Sequence, residues 1–289
     1  MTSAARLRQL LAEPGLLIAP GVYDGLSAAL VREAGFDAAY LSGAAVAASA
    51  VGHPDIGLTT LTEMAGQAVV VTRQLGGLPL IADADTGFGD VINVVRTVRE
   101  YERAGVAAIQ LEDQVFPKRC GHLDDKQVVG RAEFAEKISA AVEARTGDLV
   151  IIARTDALAV HGLDEAMARA QAYVEAGADI IFVEAPQTVA QVAAIPRGVG
   201  VPVIFNLVPG GKTPAVTAEQ LREWGYRIVI APAACLAAAD RAIRASLARL
   251  GSGDLGTGDQ PSPRTLFDSL GLPFWQSLGT THAGAPTHG

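Results

Sequence analysis

Glu102-Arg103-Ala104-Gly105-Val106-Ala107-Ala108-Ile109-Gln110-Leu111-Glu112-Asp113 holds a helix end, a turn and a buried strand in one short stretch. The glycine stops a helix in the left-handed conformation, and the apolar run behind it enters a strand that ends on acids. Arg32-Glu33-Ala34-Gly35-Phe36-Asp37-Ala38-Ala39-Tyr40-Leu41-Ser42-Gly43 repeats the unit, as does Val174-Glu175-Ala176-Gly177-Ala178-Asp179-Ile180-Ile181-Phe182-Val183-Glu184. Trp224-Gly225-Tyr226-Arg227-Ile228-Val229-Ile230-Ala231 is a weaker copy. Extending the pattern predicts strands near 16–22, 38–43, 79–85, 107–113, 149–155, 179–185, 201–207 and 227–232. Amphipathic stretches at 24–34, 60–75, 91–104, 131–145, 163–176, 188–195, 217–224 and 236–250 predict the helices between and after them, with Thr217 and Asp164-Glu165 as start signals. Strands this continuously apolar are covered on both faces, which calls for an all-parallel sheet. Eight such units predict an α/β fold, a (β/α)8 TIM barrel, over residues 1–250. The alternative, a doubly wound open sheet, is disfavoured because no Gly-x-Gly-x-x-Gly turn follows a strand.

Residues 251–289 differ in texture. Gly251 to Gly258 is a flexible linker by composition. Leu266, Phe267, Leu270, Leu272, Phe274 and Trp275 form an apolar C-terminal extension that needs a groove on its own barrel or a neighbour's, and 280–289 reads as a disordered tail. Over the whole chain, 49% of residues are hydrophobic and the net charge is −8 at pH 7, so no basic face for nucleic acid is expected. No apolar run approaches the ~20 residues that span a bilayer. The amphipathic start is not a signal peptide, and two cysteines make no disulfide framework. A cytoplasmic enzyme without membrane or nucleic-acid partners is the expectation.

The carboxyl ends of the strands of such a barrel meet on one face, where this fold keeps its chemistry. In order they carry Tyr23 and Asp24, Tyr40 with Ser42 and Gly43, Asp83 and Asp85, Glu112 and Asp113, Arg154 and Asp156, Glu184, Asn206 and Pro232. Unpaired buried charge is costly, so charge at so many strand ends marks a site. Asp83 and Asp85 share a strand parity and should face one side. With Glu112 on the next strand they make a hard-oxygen set suited to Mg2+ or Mn2+, although each acid alone reads equally as a cap or a salt-bridge partner. Beyond Glu112, Lys118-Arg119-Cys120-Gly121-His122 places one thiol among three potential cations, which favour a thiolate or a poised thiol, with Gly121 as a hinge. Cys235 reads as packing. Gly210-Gly211-Lys212 is a weak signal for phosphate binding and reads equally as a mobile loop. His53 and His161 near loop tips, and His282 and His288 in the tail, are given no role.

Together these residues resemble the isocitrate lyase/phosphoenolpyruvate mutase superfamily over roughly 16–250. The motifs are Tyr40-Leu41-Ser42-Gly43, Pro54-Asp55-Ile56-Gly57, Asp83-Ala84-Asp85, Leu111-Glu112-Asp113-Gln114, the Lys118–His122 loop, Ala153-Arg154-Thr155-Asp156-Ala157 and Val183-Glu184-Ala185. The resemblance is nearest to the methylisocitrate lyase, 2,3-dimethylmalate lyase and carboxyphosphonoenolpyruvate mutase group. It implies Mg2+ (or Mn2+) on Asp85, with Asp55, Asp83 and Glu112 holding its waters. It also implies that Ser42, Gly43 and Ala44 hold a keto-acid carboxylate through backbone amides, with Gly121 and Asn206 beside the substrate. Arg154 would lie near the reacting oxygen, Cys120 would be the general acid, Tyr40 a candidate base, and His122 and Glu184 their catalytic neighbours. The implied reaction cleaves a 2-hydroxy di- or tricarboxylate between C2 and C3, giving a keto acid such as pyruvate and a second carboxylate. The alternatives are a phosphonomutase and an oxaloacetate hydrolase or decarboxylase. Ala44-Ala45 replaces the Gly-Gly of methylisocitrate lyases, and Leu123 stands where they tend to have an arginine for a further carboxylate. Asn206 to Pro214 looks more like dimethylmalate lyases or carboxyphosphonoenolpyruvate mutases. A homotetramer or homodimer is implied, although the short aromatic C-terminus differs from the longer helical tails of the family.

Overall fold

The computed structural model describes residues 1–256, 258 and 260–282, without the side chains of 279–282; most of the tail expected at 280–289, His288 and the side chain of His282 lie outside it. Strands β1 (Leu17–Val22), β2 (Ala39–Leu41), β3 (Leu80–Asp83), β4 (Ala108–Glu112), β5 (Val150–Thr155), β6 (Ile180–Val183), β7 (Val203–Asn206) and β8 (Ile228–Ala231) close into a parallel barrel in chain order. β8 returns to pair with β1. The (β/α)8 barrel expected from the repeat is the fold.

Alternation along each strand sorts the core into two layers. Outward residues such as Leu41, Ile109, Leu111 and Ile151 pack beneath the helices. Inward residues such as Ile81, Ile152, Ile204 and Ile228 fill the barrel, whose lower end is plugged by Ala4 and Leu7 of the helix Ser3–Ala12. At the upper end the inward positions are polar or aromatic: Tyr40, Asp83, Glu112, Arg154, Phe182 and Asn206. The barrel thus places its chemistry in the layer left after its apolar interior is filled.

Helix starts follow from local chemistry. Thr217 caps Ala218–Trp224 in a capping box with Gln220, a device worth ~1 kcal/mol. Asp164 and Glu165 open Leu163–Glu175, where they meet the positive end of its dipole. Strands are a little shorter than predicted because the chain turns sharply above them. Asp85 and Ala185 hold left-handed φ values of 46° and 53°, which end the ladders of β3 and β6. The helix after β8, Ala234–Gly251, has no buried residue. Beyond it, Pro263–Ser269 and Leu272–His282 form two short helices on which Phe267, Phe274 and Trp275 are exposed. Among the described residues no helix is long and apolar enough to cross a membrane.

Candidate active site

Strand register sets the centre of the site. The β4–β5 ladder sets Glu112 beside Arg154, and the β5–β6 ladder sets Arg154 beside Phe182. Arg154 therefore projects into the upper chamber between a carboxylate and a ring. Its Nη1 lies 3.0 Å from Glu112, its Nε 2.9 Å from Asp156 and its Nη2 3.6 Å from Glu184, with the guanidinium 5.3 Å from the Phe182 ring centre. Burial alone would lower its pKa, but Asp156, Glu112 and Glu184 hold it well above the usual value. A planar cation pinned by three acids is fixed in direction as well as charge.

A second cluster forms around Lys118. Its Nζ lies 2.5 Å from Asp55 and 2.7 Å from Asp85. Asp83 accepts from the amides of Gly43 (3.3 Å) and Asp85 (3.1 Å) and from Gln110 (3.4 Å). The parity expected for Asp83 and Asp85 does not apply, because Asp85 lies beyond β3 in the left-handed turn; that turn, not the pleat, brings its carboxylate to Lys118. Burial raises the Asp85 carboxyl to about 6, against the pull of Lys118 and with Asp83 and Asp55 adding to the rise. Burial likewise lifts Glu112 well above the carboxylate range, against Arg154 and Lys118. Asp85 Oδ1 and both Glu112 oxygens are buried without a hydrogen bond of good geometry, although Lys118 and Arg154 approach them as ions. Orphaned hard oxygens of this kind fit a divalent cation held partly through water. Among the described residues no three His, Cys, Asp or Glu side chains are grouped to hold an ion directly.

The thiol loop lies across the chamber. Cys120 lines it with Arg154, Glu184 and Asp83, and its amide donates to the Asp55 carbonyl at 3.2 Å. The three cations around it point elsewhere: Lys118 to Asp55 and Asp85, exposed Arg119 towards Asp125, and His122 Nε2 to Glu184 at 3.2 Å. Burial raises the Cys120 pKa, and the nearby backbone of His122 only partly offsets it. Of the two forms expected, a thiolate or a poised thiol, the raised pKa favours the thiol, the form a proton donor requires. Gly121 serves less as a hinge than as a close approach, since a Cβ there would lie 2.5 Å from Arg154 Nη2 and 2.6 Å from Glu184 Cγ. The Gly-Gly-Lys segment expected to be a mobile loop grips this one. Lys212 donates its amide to His122 Nδ1 at 3.1 Å and its ammonium to Asp124 at 2.5 Å.

The remaining predicted residues fall around the same chamber with altered prospects. Tyr40 donates to Gln110 at 3.1 Å, and burial among acids raises its pKa well above 10.0, so it is a hydroxyl donor and a poor base. Ser42 caps the short helix Gly43–Val46 through the Ala45 amide, while its own amide donates to Val22. The Gly43 amide faces Asp83. Of the three backbone amides assigned to a carboxylate, two are thus engaged within the protein. Asn206 donates to both oxygens of Glu184, at 3.3 and 3.1 Å, and its own Oδ1 is buried without a partner. Sequence reasoning missed the placement of Lys118 among the metal-fitting acids, and it missed Lys126, whose burial nothing in the loop sequence signals. The apolar wall of Val208 and Leu236 also escaped, because it comes from residues beyond strand ends.

A family model described as phosphoenolpyruvate phosphomutase matches residues 7–250. The 2-methylisocitrate lyase of Aeropyrum pernix is 51% identical over 226 residues, 78% of this chain and 72% of that protein. The 2,3-dimethylmalate lyase of Eubacterium barkeri is 46% identical over 244 residues, 84% of each chain. Among solved structures, oxaloacetate acetylhydrolase in complex with the inhibitor 3,3-difluorooxalacetate matches with a TM-score of 0.95 at 41% identity, covering 99% of this chain and 98% of that one. Phosphonopyruvate hydrolase, solved with oxalate and Mg2+, matches with a TM-score of 0.87 at 33% identity over 97% and 99%.

Proposed function

This chain belongs to the phosphoenolpyruvate phosphomutase family, within the PEP mutase/isocitrate lyase superfamily, and is an enzyme of the carbon–carbon lyase kind; we propose that it cleaves a 2-hydroxy dicarboxylate or tricarboxylate between C2 and C3. The observation that carries the reading is one chamber whose lining joins the Cys120 thiol to Asp55 and Asp83, with the orphaned oxygens of Asp85 and Glu112 just behind that lining against Lys118 and Arg154. Asp85 would hold Mg2+ (or Mn2+), with Asp55, Asp83 and Glu112 holding its waters, and the bound ion would supply Lewis-acid polarisation of the substrate's 2-hydroxyl and carboxylate.

Arg154, buried in the chamber wall, would face the oxygen that gains charge as the C2–C3 bond breaks. A base from solvent takes the hydroxyl proton, C2 becomes a carbonyl carbon, and the bonding electron pair passes to C3. Cys120 then gives its S–H proton to C3 and completes the second carboxylate, and solvent later returns a proton to the spent Cys120 sulfur. His122 and Asn206 hold Glu184 in place against Arg154, while Tyr40 orients through Gln110 rather than taking the proton. The wall supports the smaller, alkyl-bearing end of the substrate range: Ala44, Ala45, Phe182, Val208 and Leu236 line it, and the cations Lys118, His122 and Arg154 each already face a carboxylate. A third substrate carboxylate would find little there, whereas methyl groups would be well placed.

The test is pyruvate release, coupled to lactate dehydrogenase, from 2,3-dimethylmalate and 2-methylisocitrate with and without Mg2+. Turnover is expected with dimethylmalate above methylisocitrate; no pyruvate from either would overturn the lyase reading. The similarity to oxaloacetate acetylhydrolase favours oxaloacetate hydrolysis as the second reading, detected as oxalate in the same reactions. The proposal includes a homo-oligomer, because Ile243, Leu247, Leu250, Phe267 and Trp275 leave apolar surface exposed beside the barrel.

A further inference from the structure

We propose that Lys126 is the positioning residue that latches the Cys120 loop shut over the chamber, a role that rests on the proposed work of Cys120 there. Lysines of surface loops normally keep their ammonium in water, since burying it is costly unless it is fully paired. The Lys126 side chain is only 2% exposed. Its Nζ donates to Asp156 at 2.7 Å and to the carbonyl of Gly121, the residue after Cys120. Those partners belong to two bodies: Gly121 is at the tip of the loop, and Asp156 stands just beyond β5 on the barrel. One ammonium thereby ties the returning arm of the loop, its tip and the rigid wall together.

The anchor is itself fixed. The Asp156 amide donates to Asp113 at 2.9 Å, and Asp113 is held in turn by Thr155, Arg169 and Tyr173. Asp156 also takes Arg154 in a two-point contact, 2.9 Å to Nε and 3.1 Å to Nη2. The same carboxylate therefore aims the guanidinium at the chamber and closes the loop that carries the acid, so the two are set together. Other ties are weaker or differently placed. Lys212–Asp124 and Arg119–Asp125 end on acids 85% and 88% exposed, where ion pairs contribute little. Lys118 holds the outgoing arm, but through Asp55 and Asp85, which are assigned to the metal. His122 also ties the loop to the barrel through Glu184, 3.2 Å away and outside that set; of the two, Lys126 also holds the Gly121 carbonyl.

Thiol access reads the latch without any substrate, so a wrong substrate assignment leaves the test standing. Iodoacetamide labelling of the full-length protein is followed at Cys120 and Cys235 by peptide mass spectrometry. In Lys126→Met, loss of a buried charged tie is expected to raise the Cys120 labelling rate by about tenfold to a hundredfold, with Cys235 labelling and the circular-dichroism spectrum as in wild type. Turnover should fall through kcat in the same variant. Lys126→Gln keeps an amide that reaches one partner; it should give a smaller rise of about fivefold, and it supplies the comparison if Lys126→Met does not fold. An unchanged Cys120 rate overturns the latch, and so does a parallel rise at Cys235, which would mark general loosening.

Discussion

Alanine at Gly121 is the smallest change that should separate the acid from its target. The added Cβ would lie 2.5 Å from Arg154 Nη2, 2.6 Å from Glu184 Cγ and 2.7 Å from Glu184 Cδ, where ordinary contact begins near 3.4 Å. Something must move by roughly 0.9 Å, the difference between those contact distances. Arg154 cannot yield, because Asp156, Glu112 and Glu184 hold it; Glu184 is held by Asn206 and His122. The loop is the softer body, so it should lift and take the adjacent Cys120 sulfur with it. A misplacement of ~1 Å costs on the order of a hundredfold in rate, while overpacking costs about 1–3 kcal/mol, much of it spent on opening the loop instead of unfolding the barrel. Gly121→Ala should therefore lose about two orders of magnitude in kcat with a melting temperature lower by only a few degrees, measured by the coupled pyruvate assay and thermal circular dichroism. If the variant turns over within about twofold of wild type, the close approach is not what places the thiol, and the geometric account of the loop fails.

Cys120→Ser should lower turnover by ~10²–10⁴ with substrate affinity little changed; a fully active variant removes the sulfur from the reaction. The Asp85 carboxyl is raised from 3.8 to about 6 in the folded protein, so its contribution to stability is intact below about pH 4 and lost as pH rises through 6. Metal-free wild type should thus lose stability relative to Asp85→Asn between about pH 4 and 6, and a flat difference between the two melting curves refutes the shift. Oxalate should bind at least about tenfold more tightly with Mg2+ than without it by calorimetry, and Asp85→Ala should abolish the difference; equal affinities in wild type would count against the metal set. Light scattering should find an oligomer that Leu247→Asp weakens, and a monomeric wild type would sink the self-association proposal.

The fold was legible because each Gly-turn unit carries its own instruction: a helix stop such as Gly105 at φ 79°, then an apolar strand. Residues within strands were legible for the same reason, since alternation fixes which way Glu112, Arg154 and Asn206 project. The failures cluster where the chain leaves the ladder. Asp85 turns through a left-handed backbone, so parity misdescribed its route to the chamber. Lys118 and His122 neighbour Cys120 in sequence, but each is drawn to an acid from elsewhere in the chain, Asp55 and Glu184, and spacing cannot show that competition. Lys126 gave no signal because burial of a loop lysine depends on Asp156, 30 residues away.

Charge balance joins these observations. Asp55, Asp83, Asp85, Glu112, Asp156 and Glu184 crowd the upper chamber against three permanent cations, Lys118, Lys126 and Arg154. With every acid ionised, those six negative charges exceed the three permanent cations by three. A like-charge pair 4 Å apart costs about 4 kcal/mol at the effective dielectric of such a site; burial is the main cause that raises Asp85 and Glu112, and their acidic neighbours add to the rise. A dianionic substrate entering the same chamber meets that repulsion in full. Under the proposed function, a divalent ion on this set would offset that repulsion and would be expected to bind before substrate, while a neutral Cys120 thiol would hold its proton among these crowded acids without adding to the charge.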